Sequence, residues 1–74
     1  PSGGGMFAEG TITMMQDIVS EGNTYYYLMI SGREELFEIE AKDHLDILKK
    51  HVGDNIKVEY MEASNGVLTV TSIQ

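Results

Sequence analysis

The sequence predicts a small all-β domain with one helix, a five-stranded barrel whose elements follow in the order β-β-β-α-β-β. Five segments alternate between apolar and polar residues with a period of two, which is typical of strands. One segment between the third and fourth strands carries the start and stop signals of a helix. The chain has 74 residues, which leaves room for one core and little for a deep active-site cleft.

The first predicted strand, residues 6–19, changes register along its length. Its apolar residues alternate until the pattern slips at Met14 and Met15, and they resume with Ile18 and Val19 on a shifted register. A β-bulge explains this slip, because one inserted residue bends and twists a long strand.

The second and third predicted strands follow after short turns. A turn at residues 20–23 leads to residues 24–30, where tyrosines and branched apolar residues favour a strand. Residues 35–41 then alternate cleanly, with Phe37 and Ile39 facing the core and glutamates facing solvent. The third strand therefore has one buried and one wet face.

The helix is predicted at residues 43–52. Asp43 is a good N-cap, and Gly53 lies where a helix commonly ends in a left-handed residue. Between them an apolar stripe is expected to cover the open end of the barrel. This stripe consists of Leu45, Leu48 and Val52.

The last two predicted strands form a hairpin. Apolar residues alternate from Ile56 to Tyr60, and Leu68 and Val70 follow after Ser-Asn-Gly-Val at residues 64–67, a strong signal for a type I′ turn. The inward residues of all these elements make up the predicted core: Ile12, Tyr26, Leu28, Phe37, Ile39, Leu45, Leu48, Val58 and Val70.

In this layout the chain resembles the OB-fold, a five-stranded Greek-key barrel with its helix between strands three and four. The resemblance rests on the coiled first strand with Gly10, the helix followed by Gly53, and the hairpin at Gly66, and it covers residues 6–74 as one domain. Residues 1–5 contain three successive glycines and are interpreted as a disordered vector-derived remnant, with a native flexible arm as the alternative. An SH3-like barrel is the alternative fold.

The resemblance implies binding across the outer face of strands two and three, where OB-folds bind oligonucleotides and oligosaccharides. The expected outward residues of this face are the candidate binding residues: Tyr25, Tyr27, Met29, Glu38 and Glu40. Two tyrosines could stack bases, but the neighbouring carboxylates repel phosphate. The chain has 5 lysine and arginine residues against 12 aspartate and glutamate residues. Few positive charges are therefore available to neutralise phosphates and release their counterions.

A tyrosine and methionine patch rimmed by carboxylates is more typical of a protein contact surface. The sequence therefore predicts a non-enzymatic interaction module that contacts a protein partner or a second copy of this chain. Binding of single-stranded nucleic acid by stacking on Tyr25 and Tyr27 is the alternative. A third interpretation, that these tyrosines only supply strand propensity, stays open.

No catalytic, metal or cofactor motif stands out in the sequence, so none of these is expected. His44 and His51 would lie about 10.5 Å apart along the predicted helix, too far to share a metal. The layout is also similar to molybdate-binding Mop-type domains, but residues 41–44 contain no serine or threonine and Asp43 opposes an anion.

Neither secretion nor membrane insertion is expected from this sequence. It has no cysteine, which is consistent with a reducing compartment, and the cytoplasm is the expected location. The longest apolar run, residues 25–30, is too short to span a bilayer, so no membrane contact is expected.

Overall fold

Five strands close into a small barrel in the computed structural model, which describes residues 6–62 and 66–74. The strands are β1 (Met6–Ser20), β2 (Asn23–Ile30), β3 (Phe37–Glu40), β4 (Asn55–Glu62) and β5 (Leu68–Ile73), and a 3-10 helix (Leu45–Lys49) lies between β3 and β4. This architecture confirms the predicted small all-β fold and is compatible with an OB-like barrel. The predicted remnant at residues 1–5 and the first half of the predicted turn, residues 64–65, lie outside the described residues.

The strands follow the order β1-β2-β3-β5-β4 around the barrel, and β4 pairs with β1 to close it. The contact between β3 and β5 is parallel, with Phe37 opposite Leu68 and Glu38 opposite Thr69. The other four strand pairs are antiparallel. The barrel therefore contains one short parallel contact, between two strands that are separated along the chain by the 3-10 helix and β4.

The longest strand, β1, pairs with two different neighbours. Residues 6–11 lie opposite β4, the part from Ile12 onward lies opposite β2, and the register shifts between Ile12 and Met14. This shift confirms the irregularity that the sequence predicts there. Gly10 lies where β1 passes the end of β2, and an added Cβ would come within 2.8 Å of Cγ2 of Ile30, so no larger residue fits without a shift.

The barrel interior is filled by apolar side chains from every strand and from the 3-10 helix. The buried core residues are Ala8, Ile12, Leu28, Ile30, Phe37, Ile39, Ala41, Ile47, Ile56, Val58, Tyr60, Leu68 and Val70. The predicted inward residues of the strands belong to this set, except that Tyr26 is only partly buried against it. The fully buried Phe37 ring meets Tyr60 edge-on, with ring centres 5.3 Å apart.

The predicted helix at residues 43–52 is wrong in its length and in its buried face. The structure has a five-residue 3-10 helix at Leu45–Lys49, preceded by His44, and no side chain caps its start. Its buried residue is Ile47, which is fully shielded from solvent. The predicted stripe is instead exposed: Leu45 by 63%, Leu48 by 54% and Val52 by 60%.

Tertiary hydrogen bonds to β1 explain why the helix ends early. The N–H of Gly53 donates to the carbonyl of Ile12, and the N–H of Ile12 donates to the carbonyl of Asp54, each over 2.9 Å. These bonds hold the segment before β4 against β1, so it cannot continue a helix.

Within the described ranges, no helix has the length and apolar character needed to cross a lipid bilayer.

The substitution Phe37→Ala should lower the free energy of unfolding by about 3–5 kcal/mol, because a fully buried ring leaves a cavity. The matched control is Leu48→Ala, whose side chain is more than half exposed and should change stability by less than about 0.5 kcal/mol. Urea unfolding of both variants measures the difference. Equal costs would contradict the buried core described above.

Candidate functional site

The five predicted binding residues lie together on the outer surface of β2 and β3. Tyr25 lies directly opposite Glu40, and Tyr27 lies directly opposite Glu38. Directly opposed residues of antiparallel strands project to the same face, and Met29 shares that face because it is two residues beyond Tyr27. All five side chains are half-buried.

β1 adds three residues to the same surface, each directly opposite one of the β2 residues just named. These residues are Met14, Gln16 and Ile18. The register shift in β1 brings them to the outside, and for this reason the alternation of the sequence alone does not predict them there. The slip of the apolar pattern at Met14 was the signal that could have placed them. We call the surface formed by these eight residues the tyrosine face.

The ring of Tyr27 is held in place by its neighbour on β3. Its hydroxyl donates a hydrogen bond of 2.7 Å to Oε2 of Glu38. This hydrogen bond raises the pKa of Tyr27, and partial burial and the negative charge of Glu38 raise it further. A ring that is already oriented loses less freedom when it packs against a ligand.

The charge on the tyrosine face is negative. Glu38 and Glu40 project from β3, and neither β3 nor residues 6–30 contain a lysine or arginine. The nearest basic residue along the chain is Lys42, whose ammonium lies 3.5 Å from Oε2 of Glu40. Exposed pairs of this kind are weak, so the face keeps its carboxylate rim.

The histidines considered as metal ligands flank the 3-10 helix and do not lie on it. The backbone N–H of His51 donates to Oδ2 of Asp54 over 2.9 Å, which fixes a turn before β4. In the part of the chain that the structure describes, no three histidine, aspartate or glutamate side chains lie close enough together to hold a metal ion.

Comparison of the chain with protein-family models, with curated proteins and with solved structures finds no match. The tyrosine face combines aromatic rings, flexible methionines and a negative rim on adjoining antiparallel strands.

The phenol of Tyr27 should titrate above its ordinary pKa of 10.0, because its proton is shared with Glu38. Glu38→Ala should bring this pKa back toward the ordinary value, whereas Glu40→Ala keeps the hydrogen bond and should leave the pKa raised. The unchanged domain and each glutamate variant are compared with a matched protein that also carries Tyr27→Phe. The difference in tyrosinate absorbance between the two members of a pair isolates the titration of Tyr27.

A raised pKa in the folded state also has a defined effect on stability. The contribution of Tyr27 is fully present below its ordinary pKa and is lost as the pH rises through the higher folded value. The stability advantage over Glu38→Ala should therefore shrink above about pH 10. An advantage that grows at alkaline pH would contradict the assigned hydrogen bond.

Proposed function

We propose that this domain is a non-enzymatic interaction module that binds a protein through the tyrosine face. The observation that carries the proposal is the composition of this face, with tyrosine and methionine along its central strand β2, further apolar side chains on β1 and carboxylates along the side formed by β3. Protein interfaces are enriched in tyrosine and methionine at their cores and place charges around them.

The energetics of the face also favour a protein ligand. Tyrosine supplies large contact area with few rotatable bonds, and it is common among residues that dominate binding energy. Tyr27 is already oriented by Glu38, and the strands beneath it rest on a fully buried interior that includes Leu28 and Phe37. A rigid aromatic surface of this kind loses little entropy on binding.

We also assign the barrel to the OB type. Three features support this assignment: the strand order β1-β2-β3-β5-β4, the pairing of β1 with both β2 and β4, and the helical turn between β3 and β4. Five residues of the tyrosine face lie on β2 and β3, the strands whose outer surface binds ligands in OB-folds. A fold does not fix the ligand, and the negative charge of the face supports a protein over a nucleic acid.

Single-stranded nucleic acid is the second candidate, because Tyr25 and Tyr27 are half-exposed on one strand face and could stack bases. Residues 6–30 offer no lysine or arginine to neutralise phosphates, and Glu38 and Glu40 oppose them. Counterion release supplies most nonspecific nucleic-acid affinity, and these strands have no residues for it. The balance of charge therefore favours a protein.

The double substitution Tyr25→Ser and Tyr27→Ser should weaken association with the partner at least about tenfold while the domain stays folded, because neither ring fills the core. A photoreactive phenylalanine analogue at position 25 identifies the partner by crosslinking in cells. The purified partner is then titrated against the double variant. Phe7→Ser is the matched control, since Phe7 is 52% exposed and lies opposite Glu59 on the β1–β4 side of the barrel.

The unchanged domain and the double variant also test the nucleic-acid alternative. We expect no amide shift changes when a short single-stranded DNA is added at low ionic strength, where the carboxylates are least screened. Micromolar binding centred on Tyr25 and Tyr27 would contradict the proposal, above all if the double variant loses about 1–3 kcal/mol per stack and salt weakens binding. The same photoreactive analogue placed at position 7 should crosslink the partner weakly. Crosslinking there as strong as at position 25 would also contradict the proposal.

A further inference from the structure

The second half of β1 has a free strand edge. On this side of β1, residues 6–11 pair with β4, and Gly53 and Asp54 form hydrogen bonds with Ile12. Beyond Ile12, residues 13–20 pair with β2 on their other side. Among the described residues, none forms a backbone hydrogen bond with the β4-side edge of residues 13–20.

The turn between β1 and β2 shows which backbone groups point to this edge. Glu21 and Gly22 have φ angles of 53° and 82°, as a two-residue type I′ turn requires. Such a turn is closed by a hydrogen bond between the residues that flank it, here Ser20 and Asn23, which lie directly opposite each other.

Hydrogen-bonded and non-hydrogen-bonded pairs alternate along antiparallel strands. Counting from the turn, Met15, Asp17 and Val19 are not hydrogen-bonded to β2, so their N–H and carbonyl groups point to the free edge. The pairing on the far side agrees with this assignment. The carbonyl of Thr24, which lies opposite Val19, accepts a hydrogen bond of 3.0 Å from the N–H of Ala41.

This edge lacks most of the devices that keep strand edges from pairing. Natural edges carry lysine, proline or strong twist, whereas residues 14–20 contain no lysine and no proline. Ile18 is 43% exposed and Val19 is 69% exposed. The single charge in the segment is Asp17.

We propose that this edge binds an extended, lysine- or arginine-rich segment of a protein partner, which adds a strand beside β1. The inference rests on the proposed function, since it gives the chemistry of the protein that the domain binds. The chain has a net charge of -7, and residues 6–30 contain no basic residue. A basic side chain opposite Asp17 forms a favourable cross-strand pair.

Charge also argues against a second copy of this chain at the same edge. The copy would bring its own segment, with Asp17 and without lysine or arginine, and another net charge of -7. Like charges on facing strands are destabilising. Asp17 therefore disfavours pairing between copies and favours a basic strand.

An added strand would lie about 4.8 Å from β1 and would continue its sheet. Alternate side chains of that strand would lie beside Met14, Gln16 and Ile18, which belong to the tyrosine face. One partner can therefore contact the edge with an extended segment and the tyrosine face with its neighbouring surface.

The test uses an eight-residue peptide in which lysine alternates with valine, and it measures amide hydrogen exchange of the whole chain by NMR. With the peptide at about ten times its Kd, exchange should slow about tenfold at Met15, Asp17 and Val19. Exchange at Gln16 and Ile18 should not change, because their N–H groups already bond to β2. Protection without this alternation would overturn the proposal.

Matched changes on both molecules keep the test decisive. A peptide with glutamate in place of lysine should bind at least about tenfold more weakly, and a peptide N-methylated on its edge-facing amides should not bind. Val19→Pro removes an N–H from the edge and should abolish binding, whereas Val19→Ala should keep it. Unchanged affinity of the N-methylated peptide would overturn the proposal whether or not Val19→Pro folds.

The remaining outcomes separate this inference from the proposed function. The double variant Tyr25→Ser and Tyr27→Ser should still show the alternating protection with the peptide. Peptide shifts at Tyr25 and Tyr27 without protection of the edge would overturn the edge proposal and leave the tyrosine face as the binding surface. Protection of the edge without peptide, together with a dimer mass in sedimentation, would replace the basic partner by a second copy.

Discussion

The register shift in β1 between Ile12 and Met14 is the constraint on which the rest of the structure depends. One continuous strand must pair with β4 in its first half and with β2 in its second half, or the barrel does not close. Side chains alternate between the two faces of a strand, so a shift of one residue exchanges inside and outside. The shift therefore decides which residues of β1 fill the core and which face solvent.

Both candidate interaction surfaces follow from this one irregularity. Before the shift, Ala8 and Ile12 fill the interior, and after it Met14 and Ile18 join the tyrosines outside. The second half of β1 also leaves β4, which exposes its edge. The tyrosine face and the edge thus share one hairpin that carries carboxylates and no basic residue, so both surfaces favour the same class of partner.

Most of the fold could be predicted from local pattern, because a strand with one buried face alternates regardless of its partners. Phe37 is an example, and the candidate residues on β2 and β3 followed from the same parity. The place of the helix between β3 and β4 was predicted, but its length was not, since Gly53 looks like a helix end in sequence but is held by a hydrogen bond to the distant Ile12. Ile18 was missed because its face depends on the position of the shift and on the identity of the paired strand.

Amide hydrogen exchange of the free domain, residue by residue along the second half of β1, tests the central claim most directly. The assigned register predicts slow exchange at Gln16 and Ile18, which bond to β2, and fast exchange at Asp17 and Val19, whose N–H groups reach an open edge. The opposite alternation would mean that the register is shifted by one residue. Uniform protection would mean that the edge is covered, and either result would contradict this account.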